Sequence, residues 1–443
     1  MRVCASNGGL PVQYRFEKVN LPGDIELHVL RDPKFKSTSV TAVLHSSLSK
    51  ESVTKNALLP RVLRRGIAGY PETVELERRL EELYGASLDV GIAKKGLRHL
   101  LVFEVEVADS RYVGSGAELF RVGMDLLNDM IFNPVKEQNG LRNDYTAQEK
   151  ENLKRLIQSL IDNKQAWAMR RCVEVMLEGD DSSLFKYGRA EDIDAITPQM
   201  LLELHHEAVR DRPIDIFVVG DLDPGQVADE VGQAFAKERN ARQLKAAWEG
   251  ISDSPAPRTR TVVERVDVNQ GNLVMGFRTG VRLGHVDYPA LIVANGVFGR
   301  YSHSKLFQIV RERESLAYSV WSSLDSTRGL LWVTAGIDFG SMERTVELVQ
   351  DQLSQVQQGL VSKGEMENTL RGVKRDFAMM ADQPGSLIDF ALEAKVNDAD
   401  ISIDELRNEV SRVTVDDVMR AAKHISLDTV YFLTGEERSS HVG

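Results

Sequence analysis

The chain has 443 residues, with 55 Lys and Arg against 66 Asp and Glu and a formal charge of −11. Hydrophobic residues at 42% and charged residues at 27% are ordinary for a folded chain, and the length exceeds the roughly 100–200 residues of one domain. The acidic balance excludes a general nucleic-acid or anionic-membrane binder, both of which need clustered positive charge.

In chain order, the first twenty residues (Met1 to Asn20) hold no apolar h-region, so no secretory signal is expected. No later run approaches the 18 or more apolar residues of a membrane span. Two cysteines, Cys4 and Cys172, cannot make a disulfide framework or a Cys-rich zinc site, which fits a reducing, cytoplasmic compartment. Alternating strands are expected on either side of Val90 and Leu100-Leu101, followed by a helix over 116–132. Gly114-Ser115-Gly116 has Leu119 where a dinucleotide fingerprint needs its third glycine, so it reads as a turn leading into that helix. Thr197 is a plausible helix N-cap, and a strand over 214–219 runs into Gly220-Asp221. Residues 237–248 read as a charged helix, and the Ser and Pro cluster at 253–257 as a break in structure. Strands follow at 261–268 and 272–277, a helix at 341–358, a second Thr-capped helix at Thr414, and a last strand at 429–433 ending in Gly435-Glu436.

The second half repeats the first. Thr197 and Thr414 lie 217 residues apart, and Gly220 and Gly435 lie 215 apart. At a spacing of 230, Val90 matches Val320, Arg98 matches Arg328, and Leu100-Leu101 matches Leu330-Leu331. Two windows at nearly one offset point to an internal duplication. The expected layout is residues 1–236 as one α+β domain, 237–260 as a linker and 261–443 as a second α+β domain. Each would be an antiparallel-rich sheet with helices packed on one face, because strands come first, helices follow and a late strand closes.

Most catalytic signatures are absent: there is no phosphate-binding loop and no G-x-S-x-G elbow. Of nine histidines, His28, His45, His99, His285, His303, His424 and His441 stand singly and read as surface or core residues. His205-His206-Glu207 lacks the second histidine of H-E-x-x-H, because that position is Arg210.

The segment 295–320 contains Ser304-Lys305-Leu306-Phe307-Gln308-Ile309-Val310-Arg311-Glu312 and then Leu316-Ala317-Tyr318-Ser319-Val320. It resembles the second-domain signature of the insulinase/pitrilysin-type metallopeptidases, near their mitochondrial-processing-peptidase-like branch. The resemblance implies two α+β domains that form half of a clamshell around a peptide chamber. The family's zinc sits on an inverted H-x-x-E-H motif, with a further Glu from a later helix. Registered on the L-x-x-G that follows the motif (Leu63 to Gly66), the first His falls on Ala57, the Glu on Pro60 and the second His on Arg61; registered on Glu149-Lys150, the distal Glu falls on Leu156. No zinc is therefore expected at this motif or elsewhere in the chain. Pro60 is expected to start or kink the helix, and Arg61, Arg64 and Arg65 to form a solvated face, or alternatively to fill the place of zinc or meet an acidic partner.

The resemblance assigns Arg311 and Tyr318 a role in trans, donating hydrogen bonds to the scissile carbonyl held at a partner's zinc. Ser315 stands where relatives carry a turn glycine. Residues 85–90 correspond to the edge strand that binds substrate in active relatives, and with the zinc lost they read as mostly structural. The implied function is a non-catalytic subunit of a heterodimeric zinc peptidase, inactive alone. Its partner would be a zinc-bearing homologous subunit, or a second copy of itself, and its substrates unstructured peptides, with no nucleic acid and no membrane involved. The alternative is an inert peptide- or protein-binding scaffold of the same fold.

Overall fold

The computed structural model describes residues 14–113, 118–235, 239, 241–251 and 258–435. Gly114-Ser115-Gly116, Cys4, the 253–257 cluster and Glu436 lie outside them. The first sheet is built from β1 (Glu17–Leu21), β2 (Ile25–Arg31), β3 (Ser37–Ser47), β4 (Ser87–Lys95) and β5 (Arg98–Ala108). A short hairpin, β6 (Lys136–Glu137) and β7 (Gly140–Leu141), stands apart, and β8 (Ile214–Gly220) returns to the sheet, giving the order β1-β2-β8-β3-β5-β4. The second sheet holds β9 (Arg260–Arg265), β10 (Gly271–Arg278), β11 (Ala317–Asp325), β12 (Leu330–Ile337) and β13 (Ser426–Thr434), ordered β11-β12-β10-β13-β9.

Read from the opposite edge, the second sheet repeats β2-β8-β3-β5-β4 of the first. In each, the late strand pairs parallel with the first strand of the repeat and antiparallel with the next, as β8 does with β2 and β3, and β13 with β9 and β10. The 230-residue spacing superposes the edge hairpin β4–β5 on β11–β12. The duplication and the α+β class are therefore as the sequence indicates. Thr197 accepts a hydrogen bond from the Met200 amide, and Thr414 makes a reciprocal cap with Asp417.

Burial explains the strand sequences. In β5, Leu101, Phe103, Val105 and Val107 face the core while Glu104 and Glu106 face out, the period-2 pattern of a half-covered strand. All seven residues of β8 and all eight of β12 are buried, so these strands are covered on both faces.

The second cover comes from an exchange between the halves. The helix Lys164–Met176 crosses to the second sheet, where Ala168, Cys172 and Met176 pack with Val274, Trp332 and Tyr431. Its counterpart 220 residues on, the helix Pro384–Val396, packs on β3 and β8 of the first sheet. Burial among apolar side chains pushes the Cys172 thiol up, away from thiolate chemistry.

One expectation is overturned. The described residues of 237–248 form no helix; 241–246 run without regular structure and 247–250 turn. Tertiary contacts override the local helical pattern, because this segment crosses the β4–β5 hairpin and the Leu97 amide donates to the Ala247 carbonyl at 2.7 Å. Gly96, at φ 54°, permits that approach, since a Cβ there would lie 2.2 Å from the same carbonyl oxygen.

Candidate functional site

The helix Val53–Leu63 carries the first-domain motif positions and packs on the helix Asn143–Asp162. Ala57 is wholly buried, and Leu156 packs against the same core. Pro60 does not start the helix, which begins seven residues earlier and continues through it to Leu63, and its carbonyl accepts from the Arg64 amide at 3.0 Å.

The arginines are not a solvated face. Arg61 Nε donates to Glu149 Oε2 at 3.1 Å, and Arg65 Nη1 lies 3.8 Å from Glu149 Oε1. Arg65 also donates to Gln148, and Arg64 bridges Glu77 and the Leu88 carbonyl on β4. Glu149 is 5% exposed, so its charge needs these cations. Arg61, standing where the family's second zinc-ligating His would be, thus places a fixed positive charge against a carboxylate of the neighbouring helix. A divalent cation finds no lone pair on Ala57 or Leu156 and is repelled by two guanidinium groups. These residues do not fit the family's zinc. The edge position of β4 matches the resemblance, and Arg64 already occupies one of its carbonyls.

The second-domain signature forms a wide helical turn. Phe307–Arg313 is π-helical rather than α-helical, with the Glu314 amide donating to the Ile309 carbonyl at 3.0 Å. Arg311 projects from it over the Phe307 ring, 4.6 Å from the centroid, and lies 3.7 Å from Glu312. The chain then reverses at Ser315, whose φ of 53° is left-handed, into the edge strand β11. Gly85, 230 residues earlier, is left-handed as well at φ 75°. Tyr318 sits where the β11–β12 register shifts, 66% exposed, its hydroxyl donating to Asp338 Oδ1 at 3.1 Å. That carboxylate holds the phenol above its ordinary pKa. Both donors therefore stand on one exposed helix-to-edge-strand turn, Arg311 beside Phe307 and Glu312 and Tyr318 beside Asp338.

His205 is a core residue rather than an ornament of its helix, with Nε2 2.8 Å from the Ile131 carbonyl and burial lowering its pKa to about 4. His28 and His45, scattered in sequence, come together with Glu26, Asp215 and Lys395 on the face of the first sheet that the helix Pro384–Val396 covers. The available signal was Glu26-Leu27-His28, two polar residues on one face of a strand; the register to β3 and β8 was not visible.

Fold and site together define a metallopeptidase-like half-clamshell whose zinc position is filled by an arginine–glutamate pair, and the chain belongs to the M16 peptidase family as a member lacking the active site. Residues 195–373 match the model described as the peptidase M16 inactive domain. The chain is 34% identical over 418 residues to the probable inactive metalloprotease YmfF of Bacillus subtilis (strain 168), covering 94% of this chain and 97% of that one. It is also 24% identical over 241 residues to the uncharacterized zinc protease YmxG of the same organism, covering 54% of this chain and 57% of that one. Among solved structures, a conserved protein from Enterococcus faecalis V583 matches with a TM-score of 0.88 at 27% identity, covering 95% of this chain and 99% of that chain.

Proposed function

We propose that this chain is the non-catalytic subunit of a two-chain zinc peptidase. A homologous partner supplies the intact H-x-x-E-H and its zinc; this chain supplies half of the peptide chamber, with Arg311 and Tyr318 as hydrogen-bond donors to the substrate carbonyl. The observation that carries the reading is the contrast between the two halves. The first-domain site is plugged by Arg61 and Glu149, whereas Arg311 and Tyr318 stay exposed on a left-handed, π-helical turn. Backbone conformations of this kind are retained where surrounding structure or function requires them. That one organism holds both an inactive relative and a zinc-protease relative is consistent with such a division. No helix among the described residues is long and apolar enough to cross a membrane.

The scaffold reading draws on one observation, the Tyr318 hydroxyl already engaged by Asp338. The bond is exposed, so a substrate oxyanion can displace it. The test is reconstitution. The purified chain should cleave no unstructured peptide alone, and should support cleavage when mixed with a zinc-bearing relative from its own source. Cleavage by the relative alone at the same rate contradicts the proposal.

A further inference from the structure

Glu26 and Asp215 are paired residues of neighbouring parallel strands β2 and β8, so two carboxylates stand side by side on the face of the first sheet that the helix Pro384–Val396 covers. Like charges placed directly opposite in a sheet destabilise it unless a cation is shared. His28, two residues beyond Glu26, has Nε2 3.4 Å from Glu26 Oε1 and 3.3 Å from Asp215 Oδ1. His45 on β3 has Nε2 2.9 Å from Asp215 Oδ2. That nitrogen, on a residue 5% exposed, has a short distance to the carboxylate but no acceptable hydrogen-bond direction to any acceptor. It borders a cavity of about 420 Å³, which Glu26, Asp215 and Lys395 also line.

The equivalent face of the second sheet shows the contrast. There the buried Asp428 is held by the Arg278 guanidinium at 2.6 Å, with Arg260 at 3.7 Å. Those cations are permanent and leave nothing for a metal to bind. In the first half the balancing groups are two imidazoles and one ammonium. The ammonium, Lys395 Nζ, contacts Glu26 and lies 3.8 Å from Asp215. Arg98, on the same cavity, spends its guanidinium on the Leu244 carbonyl.

We infer that Glu26, His28 and Asp215 form a binding site for one divalent transition-metal ion of the zinc class, with His45 beside the second oxygen of Asp215; the site is remote in sequence from the lost motif and departs from the expectation of no zinc in the chain. Neighbouring donors around a tetrahedral zinc bound at about 2.0–2.2 Å lie about 3.3–3.6 Å apart, and His28 Nε2 lies 3.4 Å from Glu26 Oε1 and 3.3 Å from Asp215 Oδ1. One imidazole with two carboxylates, and water in the fourth position, suits zinc or cobalt rather than magnesium or calcium. Binding requires a lone pair on His28 Nε2, so its neutral imidazole carries the proton on Nδ1 in the bound form. The metal replaces Lys395 as the shared cation. The Lys395 side chain is one-third exposed and turns toward Asp398, whose charge already acts on it. Metal uptake therefore exchanges a tie between the halves, since Lys395 belongs to the helix that crosses from the second half.

The full-length chain, stripped with chelator, is titrated with Co²⁺ and Zn²⁺. One equivalent of Co²⁺ is expected, with the intense visible bands of a four-coordinate ion, and Zn²⁺ should displace it. Glu26→Gln, on a partly exposed side chain that folding tolerates, and His45→Gln should each weaken binding roughly tenfold or more. A wild-type chain that takes up no metal overturns the inference. If Lys395→Met alone takes it up, lysine is the resident cation and the inference is again overturned. Equal binding by wild type, Glu26→Gln and His45→Gln places the ion elsewhere and overturns it too. The readout needs no partner and no peptide, so it stands apart from the test of the peptidase reading.

Discussion

In the proposed reading, Arg61 and the Arg311–Tyr318 pair are the positions at which single side chains decide what this chain can do. Glu149 is buried and shared by Arg61 and Arg65, so Arg61→Ala removes its nearer partner while leaving the charge in place. A loss of about 1–3 kcal/mol of stability is expected in denaturant titration. Arg61→Ala combined with Glu149→Leu should recover most of it, because the uncompensated charge is then gone. Tyr318→Phe and Arg311→Lys address chemistry instead. In the two-chain peptidase each should lower turnover by about 10²–10³, with the pair still assembled and its zinc in place. Charge develops on the substrate oxygen in the transition state, so donors aimed there act on turnover rather than on binding. Arg311→Lys keeps the charge and loses the planar fork. A quenched fluorescent peptide reads both, and full activity of both variants would make the pair structural.

Individual elements show what local pattern could and could not convey. Strands with period-2 burial, Thr-capped helices and the edge hairpins were readable because their signals are local: Thr197 and Thr414 both cap, and Val90 and Val320 both lie in edge strands. The segment 237–248 misled because its charged pattern is helical while its backbone is tied to the β4–β5 hairpin. The cluster of His28, His45 and Asp215 was invisible because strand register between β2, β3 and β8 sets it, with Asp215 lying 187 residues from His28. Ser315 is legible in both directions: a glycine is absent where the turn requires left-handed backbone, and the structure holds serine at φ 53°. Ser315→Gly should therefore stabilise the chain by up to about 1 kcal/mol, read as a raised thermal midpoint.

The buried histidines give the elements a pH signature. His99 and His205 are each pushed by burial down to about 4, with Nε2 near the Lys186 and Ile131 carbonyls. Their unfolded value is about 6.5, so between about pH 6.5 and 4 the unfolded chain binds more protons and stability falls as pH falls. Lys94, lowered by burial to about 7, acts in a different window. From pH 7 to about 10 the unfolded lysine holds its proton while the folded one releases it, so its contribution rises with pH. Denaturant midpoints across pH 4–10 check both. His205→Gln, which can still donate to the Ile131 carbonyl, should flatten the acid limb.

At the scale of the whole molecule, the halves are bound by exchanged helices: Lys164–Met176 covers the second sheet and Pro384–Val396 the first. This makes the duplicated chain one mechanical unit, and in the proposed peptidase the chamber forms by association with another chain. A stable interface of that kind buries roughly 1,200–2,000 Å² or more. The duplication was readable from spacing; the exchange was not, because nothing local distinguishes a helix that packs on its own sheet from one that packs on its neighbour's. The most direct measurement mixes the purified chain with a zinc-bearing relative from its own source, follows assembly by sedimentation, and follows cleavage of an unstructured peptide in the same sample. The expected result is a stoichiometric two-chain particle whose activity depends on this chain, needs the partner's zinc, and is lost with Arg311→Lys or Tyr318→Phe. A chain that cleaves peptide alone, or that leaves every zinc-bearing relative unbound and unchanged in rate, would contradict it.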